Sequence, residues 1–165
     1  MFRHSGHAAA IVAILALAPP AAAQDSSAGT SLDEGLLPSA RAAADAVDAF
    51  HAALGRGDTD AALVLLADDA LIFEQGGAER SKMEYAAHHL SADAAFSQAV
   101  PGARTRRAGH ASESFAWIAT EGRTTGTFNG RPVDRVTTET MVLRRVDGNW
   151  KIVHIHWSSA APPRR

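Results

Sequence analysis

Two histidines near the end of the chain and a third in its middle are spaced so that they could do chemistry. His154 and His156 stand two apart in the run Trp150-Lys151-Ile152-Val153-His154-Ile155-His156-Trp157-Ser158. On a strand both imidazoles leave one face, the face that strict alternation also gives to Trp150 and Ile152. His89 lies in a segment with helical spacing. At about 100° per residue it shares a narrow stripe with Tyr85, Ala92 and Phe96, while Glu84 and His88 take the more polar side. His-x-His with a third imidazole suits zinc, copper or iron with positions left open for water or substrate. The same side chains suit proton transfer, because Asp93 follows His89 by one helical turn and could orient it. Glu74 and Glu84 are the other carboxylates in reach. Plainer readings stand beside these: imidazoles lining a wet pocket, Asp93 on a solvated helix face, and Glu84 as a helix cap.

The elements that must position these residues can be traced from Ser39. Ala43, Val47, Phe50 and Leu54 recur at helical spacing and Gly55-Arg56-Gly57 ends that helix. Asp58 is a suitable N-cap for a shorter helix burying Ala62, Leu65 and Leu66. A strand is expected over Ala70 to Gln75, turned by Gly76-Gly77. Ser81-Lys82-Met83-Glu84 has the form of a capping box, and the third helix is expected to run from there to about Val100, before Pro101-Gly102. Four strands follow: Arg104 to Glu113, Phe115 to Thr125, Val133 to Arg145 and Asn149 to Ser158. Asn129-Gly130 and Asp147-Gly148-Asn149 supply hairpin chemistry, so these strands are expected to be antiparallel neighbours. Helices first and strands afterwards predict an α+β domain with the helices on one sheet face.

Composition narrows the partners. Sixteen basic against eighteen acidic side chains give a net charge of −2, without the basic footprint of a nucleic-acid or acidic-lipid binder. The absence of cysteine removes thiol nucleophiles, thiolate metal sites and disulfides. Arg104, Arg106 and Arg107 read as a solvated strand edge. Trp117 and Trp157 read as core or interface residues.

Residues 1–23 have the layout of a signal peptide: Arg3, an apolar run from Ala8 to Ala18, then Pro19-Pro20 and Ala21-Ala22-Ala23. The run is shorter than the roughly 20 residues that cross a bilayer core. The expectation is cleavage after Ala23 and a periplasmic or secreted protein with no membrane association afterwards. Residues 24–38, rich in Ser, Ala, Gly and Asp, read as a flexible leader. Residues 39–159 read as the single domain and 160–165 as a frayed tail.

Phe73-Glu74-Gln75-Gly76-Gly77, the segment Glu84-Tyr85-Ala86-Ala87-His88-His89-Leu90 with Ala92-Asp93, and the run Trp150 to Ser158 resemble the nuclear transport factor 2-like superfamily in its SnoaL-like branch. The resemblance spans roughly Ser39 to Ser159. It implies a cone formed by a strongly curved antiparallel sheet and about three helices, and often a homodimer packed through the outer sheet face. It also implies that the last strand's histidines look into the cone and that the third helix lies across it. His89, His154 and His156 would then converge, with Asp93, as a catalytic set or as ligands of zinc or another transition metal. Glu74, Tyr85, Phe96, Trp150 and Ile152 would line the pocket. The superfamily hosts isomerases, dehydratases, hydrolases and cyclases as well as non-catalytic proteins. Three functions stay open: a pocket protein that binds or transforms a small molecule, a periplasmic metal binder, and a homodimeric accessory module.

Overall fold

The computed structural model describes residues 32–163. The expected signal peptide lies outside them. Strand β1 (Gly35–Leu36) and a 3-10 turn (Pro38–Ala40) lead into helices α1 (Arg41–Arg56) and α2 (Thr59–Leu65). Strands β2 (Leu66–Glu74) and β3 (Gly77–Glu79) follow, then helices α3 (Lys82–His88) and α4 (Leu90–Ala99). The chain ends in the long strands β4 (Gly102–Ala111), β5 (Phe115–Phe128), β6 (Arg131–Val146) and β7 (Asn149–Ala160).

Local chemistry sets the boundaries. Gly57 adopts the left-handed conformation at the end of α1, where its N–H reaches the carbonyls of Ala53 and Leu54. Asp58 caps α2 by accepting from the Ala61 N–H at 3.1 Å. At α3 the Ser81 hydroxyl accepts from the Glu84 N–H at 3.1 Å, but the Glu84 carboxylate returns to the N–H of Arg80, one residue earlier than the standard box. Gln75-Gly76, Asn129-Gly130 and Asp147-Gly148 all have positive φ at both positions, which matches the right-handed twist of two-residue hairpins. The expected third helix is divided at His89, which ends α3 and opens α4.

The strands form one α+β sheet in the order β1-β4-β5-β6-β7-β2-β3. It is mixed, not wholly antiparallel: β2 runs parallel to β7, and β1 parallel to β4. The expected leader joins the fold at its last residues. Leu36 is buried and Leu37 donates to the Gly109 carbonyl at 3.0 Å. Gly109 makes room for this approach, since a Cβ there would stand 2.7 Å from Ile118 and 2.9 Å from Leu36. At the other end β7 continues through Ala160, which pairs with Val136, so the expected tail is partly strand.

The helices cover one face of the sheet. Across it runs the apolar row Ile72, Ile155, Met141 and Ile118, each 3 % exposed or less. Phe50, Val47 and Leu54 of α1 and Tyr85 of α3 join this core. Burying side chains of this size contributes about 1.5–3 kcal/mol each.

Candidate functional site

A β-bulge decides which histidines enter the interior. Leu143 of β6 pairs with Ile152, but Val142 pairs with His154, so Val153 is an extra residue in β7. Before it, Trp150 and Ile152 face the helices. After it, Ile155 and Trp157 do, and His154 and His156 turn to the open face. There they pack edge-on against the half-exposed Phe73, with ring centroids at 5.2 and 6.3 Å, and His154 Nδ1 lies 2.8 Å from the Leu71 carbonyl. The expectation that both imidazoles share a face with Trp150 and Ile152 is therefore corrected.

His89 does not point inward either, its side chain being 63 % exposed. The break between α3 and α4 swings it toward β3, where Nδ1 hydrogen-bonds Glu79 Oε1. His88, expected on the more polar side of the helix, is 59 % exposed and lies 3.3 Å from the other oxygen of Glu79. The three proposed ligands are thus divided between the sheet's open face and the α3–α4 corner, and do not form one metal set. The expected pocket residues also divide. Tyr85 and Ile152 are fully buried, Trp150 is buried under the Arg145 guanidinium, and Phe96 packs edge-on against Phe128. Glu74 sits in the polar row described next.

One register step from the apolar core, the helix-covered face becomes polar. Glu74, Trp157, Glu139, Thr120 and Arg107 are successive cross-strand partners on β2, β7, β6, β5 and β4. Helix α1 closes over the row. His51 Nε2 lies 2.7 Å from Glu139 Oε2, and the Trp157 indole N–H donates to that same oxygen at 2.7 Å. Phe50 stacks on Trp157 with centroids 6.4 Å apart. Arg107, 3 % exposed, donates to Asp48 of α1 at 2.7 Å and to Thr120 at 3.2 Å. It is no solvated edge residue, in contrast to Arg106.

Glu139 is 9 % exposed, and its Oε1 is a buried acceptor without a partner among the described residues. Burial alone would raise its pKa, but His51, Trp157 and Arg107 outweigh that and hold the carboxyl below its usual range. For His51, burial works to lower the pKa, and the Glu139 hydrogen bond and charge raise it further than burial lowers it. The pairing thus favours the charged form of each group, with His51 41 % exposed at the rim.

A second pair lies beyond the Glu74 end. The buried Tyr85 hydroxyl donates to Asp93 Oδ2 at 2.8 Å. Desolvation pushes the Asp93 carboxyl up to about 6 against the opposing pull of Tyr85, with Glu74 adding to the rise. Burial likewise pushes the Tyr85 phenol up. The Glu79 hydrogen bond raises the His89 imidazole. Asp93 is thus a carboxyl able to take or give a proton near neutral pH.

His51, Glu139 and Asp48 were not singled out from sequence, and Arg107 was read only as part of a solvated strand edge, although a signal was present for two of them. His51 follows Val47 by four and precedes Leu54 by three, within the buried stripe of α1. Glu139 alternates with Met141 and Leu143 on one face of β6.

Comparison with known proteins agrees with this architecture. The family model described as a SnoaL-like domain matches residues 43–162. A provisionally assigned ketosteroid isomerase from Shewanella frigidimarina is 36 % identical over 71 % of this chain and 94 % of that one, with a TM-score of 0.68. Two more distant structures share the fold. A provisionally assigned dehydratase of the nuclear transport factor 2-like family from Streptomyces avermitilis is 17 % identical, with a TM-score of 0.63 over 74 % and 96 % of the two chains. A nuclear transport factor 2-like protein of unknown function from Pseudomonas putida is 20 % identical, with a TM-score of 0.60 over 70 % and 82 %. No curated protein matches the sequence. The resemblance read from the sequence holds, and the chain belongs to the SnoaL-like domain family, on the nuclear transport factor 2-like fold.

Proposed function

We propose that this domain binds a small molecule at the polar row of its helix-covered face and moves a proton on it, as an isomerase or dehydratase does. The observation that carries this reading is the Glu139 carboxylate. One oxygen is held by His51 and Trp157, and the other is a buried acceptor with no donor among the described residues. A ligand hydroxyl or N–H would satisfy it. His51, at the rim and with its protonated form favoured by Glu139, supplies the acid, and Asp93 is the second group poised to exchange a proton. The relative named as a ketosteroid isomerase supports a carbonyl or hydroxy-carbonyl substrate of small size.

The test is turnover of a panel of unsaturated ketones and β-hydroxy ketones by wild type, His51→Ala, Glu139→Gln and Asp93→Asn. Loss of one acid–base group is expected to cut kcat by about 10²–10⁴-fold with the circular dichroism unchanged. Equal turnover in all four proteins would refute the assignment.

The proposal includes export after cleavage at Ala23 and a homodimer through the open sheet face, where Phe73, Phe115, Trp117 and Val136 are exposed. N-terminal sequencing of the protein from cell fractions tests the first. A second reading, a non-catalytic accessory module, is favoured by the full burial of Tyr85 and Ile152, which fills the deep part of the interior. A panel without turnover or ligand-induced thermal shift would select it.

A further inference from the structure

We propose that Glu79, Glu84 and His88 bind a divalent transition-metal ion at the corner between β3 and α3. This site is separate from the polar row and uses none of its residues. Glu84 and His88 are four apart on α3, so helix geometry places both on one side of the helix, one turn apart. The edge strand β3 ends at Glu79 just before the helix and points that carboxylate toward the same side, opposite Ile72 in the ladder. One ligand atom from each of the three residues lies within 4.8 Å of the others.

Tetrahedral zinc with bonds of 2.0–2.2 Å holds its ligand atoms about 3.4 Å apart. The arrangement therefore needs a closing movement of somewhat over an ångström at most. His88 and Glu84 can make it, since the first is exposed and the second half-buried. Glu79 need not move. It is buried, and its Oε1 is fixed by His89 while Oε2 faces His88 Nδ1 at 3.3 Å. His89 is thus the group that orients a ligating carboxylate through its other oxygen. Glu84 uses Oε2 to cap the Arg80 N–H, which leaves Oε1 for a metal. One imidazole with two carboxylates favours zinc, nickel or copper over calcium or magnesium, which prefer all-oxygen sites.

The experiment uses the untagged chain, titrated with zinc in competition with a chromophoric chelator, and with cobalt read by its visible absorption. One ion per chain is expected. His88→Ala and Glu79→Gln should abolish stoichiometric uptake, and His89→Ala should weaken it by about 10–100-fold. His88 is exposed, so its replacement leaves the fold intact, and circular dichroism checks the Glu79 variant. The double variant His154→Ala/His156→Ala should bind as wild type does. Absence of stoichiometric uptake, uptake that survives His88→Ala, or uptake lost in the His154/His156 variant would each overturn the assignment.

Discussion

His51 Nε2 and Glu139 Oε2 meet at 2.7 Å, joining the first helix to the central strand of the sheet through one ion pair. The pair ties α1 to the polar half of the interior, just where the apolar row ends. Its two members titrate in opposite directions. The raised His51 contributes stability that is complete below its unfolded value of about 6.5 and is lost as pH rises through its higher folded value. The lowered Glu139 contributes stability present above about 4.5 and lost as pH falls through its lower folded value.

The contribution is therefore fullest between those two values. At pH 5.5, His51→Ala should be less stable than wild type by about 1–3 kcal/mol, because a buried acceptor loses a partner. At pH 8.5 the gap should shrink, leaving the hydrogen bond from neutral imidazole. Urea unfolding at the two pH values measures this, and a gap that is constant or grows with pH would contradict the pairing.

Asp93 behaves in the reverse sense to an ordinary salt-bridged acid. Its carboxyl is raised to about 6, so the folded state prefers it protonated, and stability falls as pH rises through that value. Asp93→Asn should stabilise the protein by about 1–3 kcal/mol at pH 8 and by less at pH 4.5, the difference vanishing only below the ordinary value of 3.8. Tyr85→Phe, which removes the donor to Oδ2, should raise the Asp93 pKa further, as followed by carboxyl NMR titration. A fall in that pKa would show that the phenol does not hold the carboxylate.

The Val153 bulge assigns Ile155 to the core and His156 to the open face. Ile155→Ala should cost about 2–5 kcal/mol through cavity formation. His156→Ala removes one ring contact with Phe73 and should cost under about 1 kcal/mol. Thermal or urea denaturation separates the two, and similar costs for both would place the bulge elsewhere.

Trp117 is 44 % exposed in the middle of the open face, beside the half-buried Val142. If two copies meet there, Trp117→Glu should convert a dimer to a monomer in analytical ultracentrifugation without loss of secondary structure. A wild-type monomer at micromolar concentration would remove that assembly.

The sequence by itself determined the long strands and the first two helices, but not the short strands β1 and β3 or the division of the third helix. The Phe50 and Leu54 stripe, the Asp58 and Ser81 caps and the Asn129-Gly130 and Asp147-Gly148 turns are local signals, because each is satisfied within a few residues of itself. The order of helices and strands, with three long segments, was enough to carry the family resemblance. Only the tertiary structure decided which polar residues face one another. A single extra residue in β7 reverses every side chain after it, and nothing local to Val153 announces this, since a bulge exists only relative to the strand beside it. The break at His89 likewise follows from packing, with Tyr85 drawn into the core and His89 drawn to Glu79 on β3. Glu139 acquires its role from His51 on a distant helix and Trp157 on the next strand, partners that sequence separation hides and sheet register brings together.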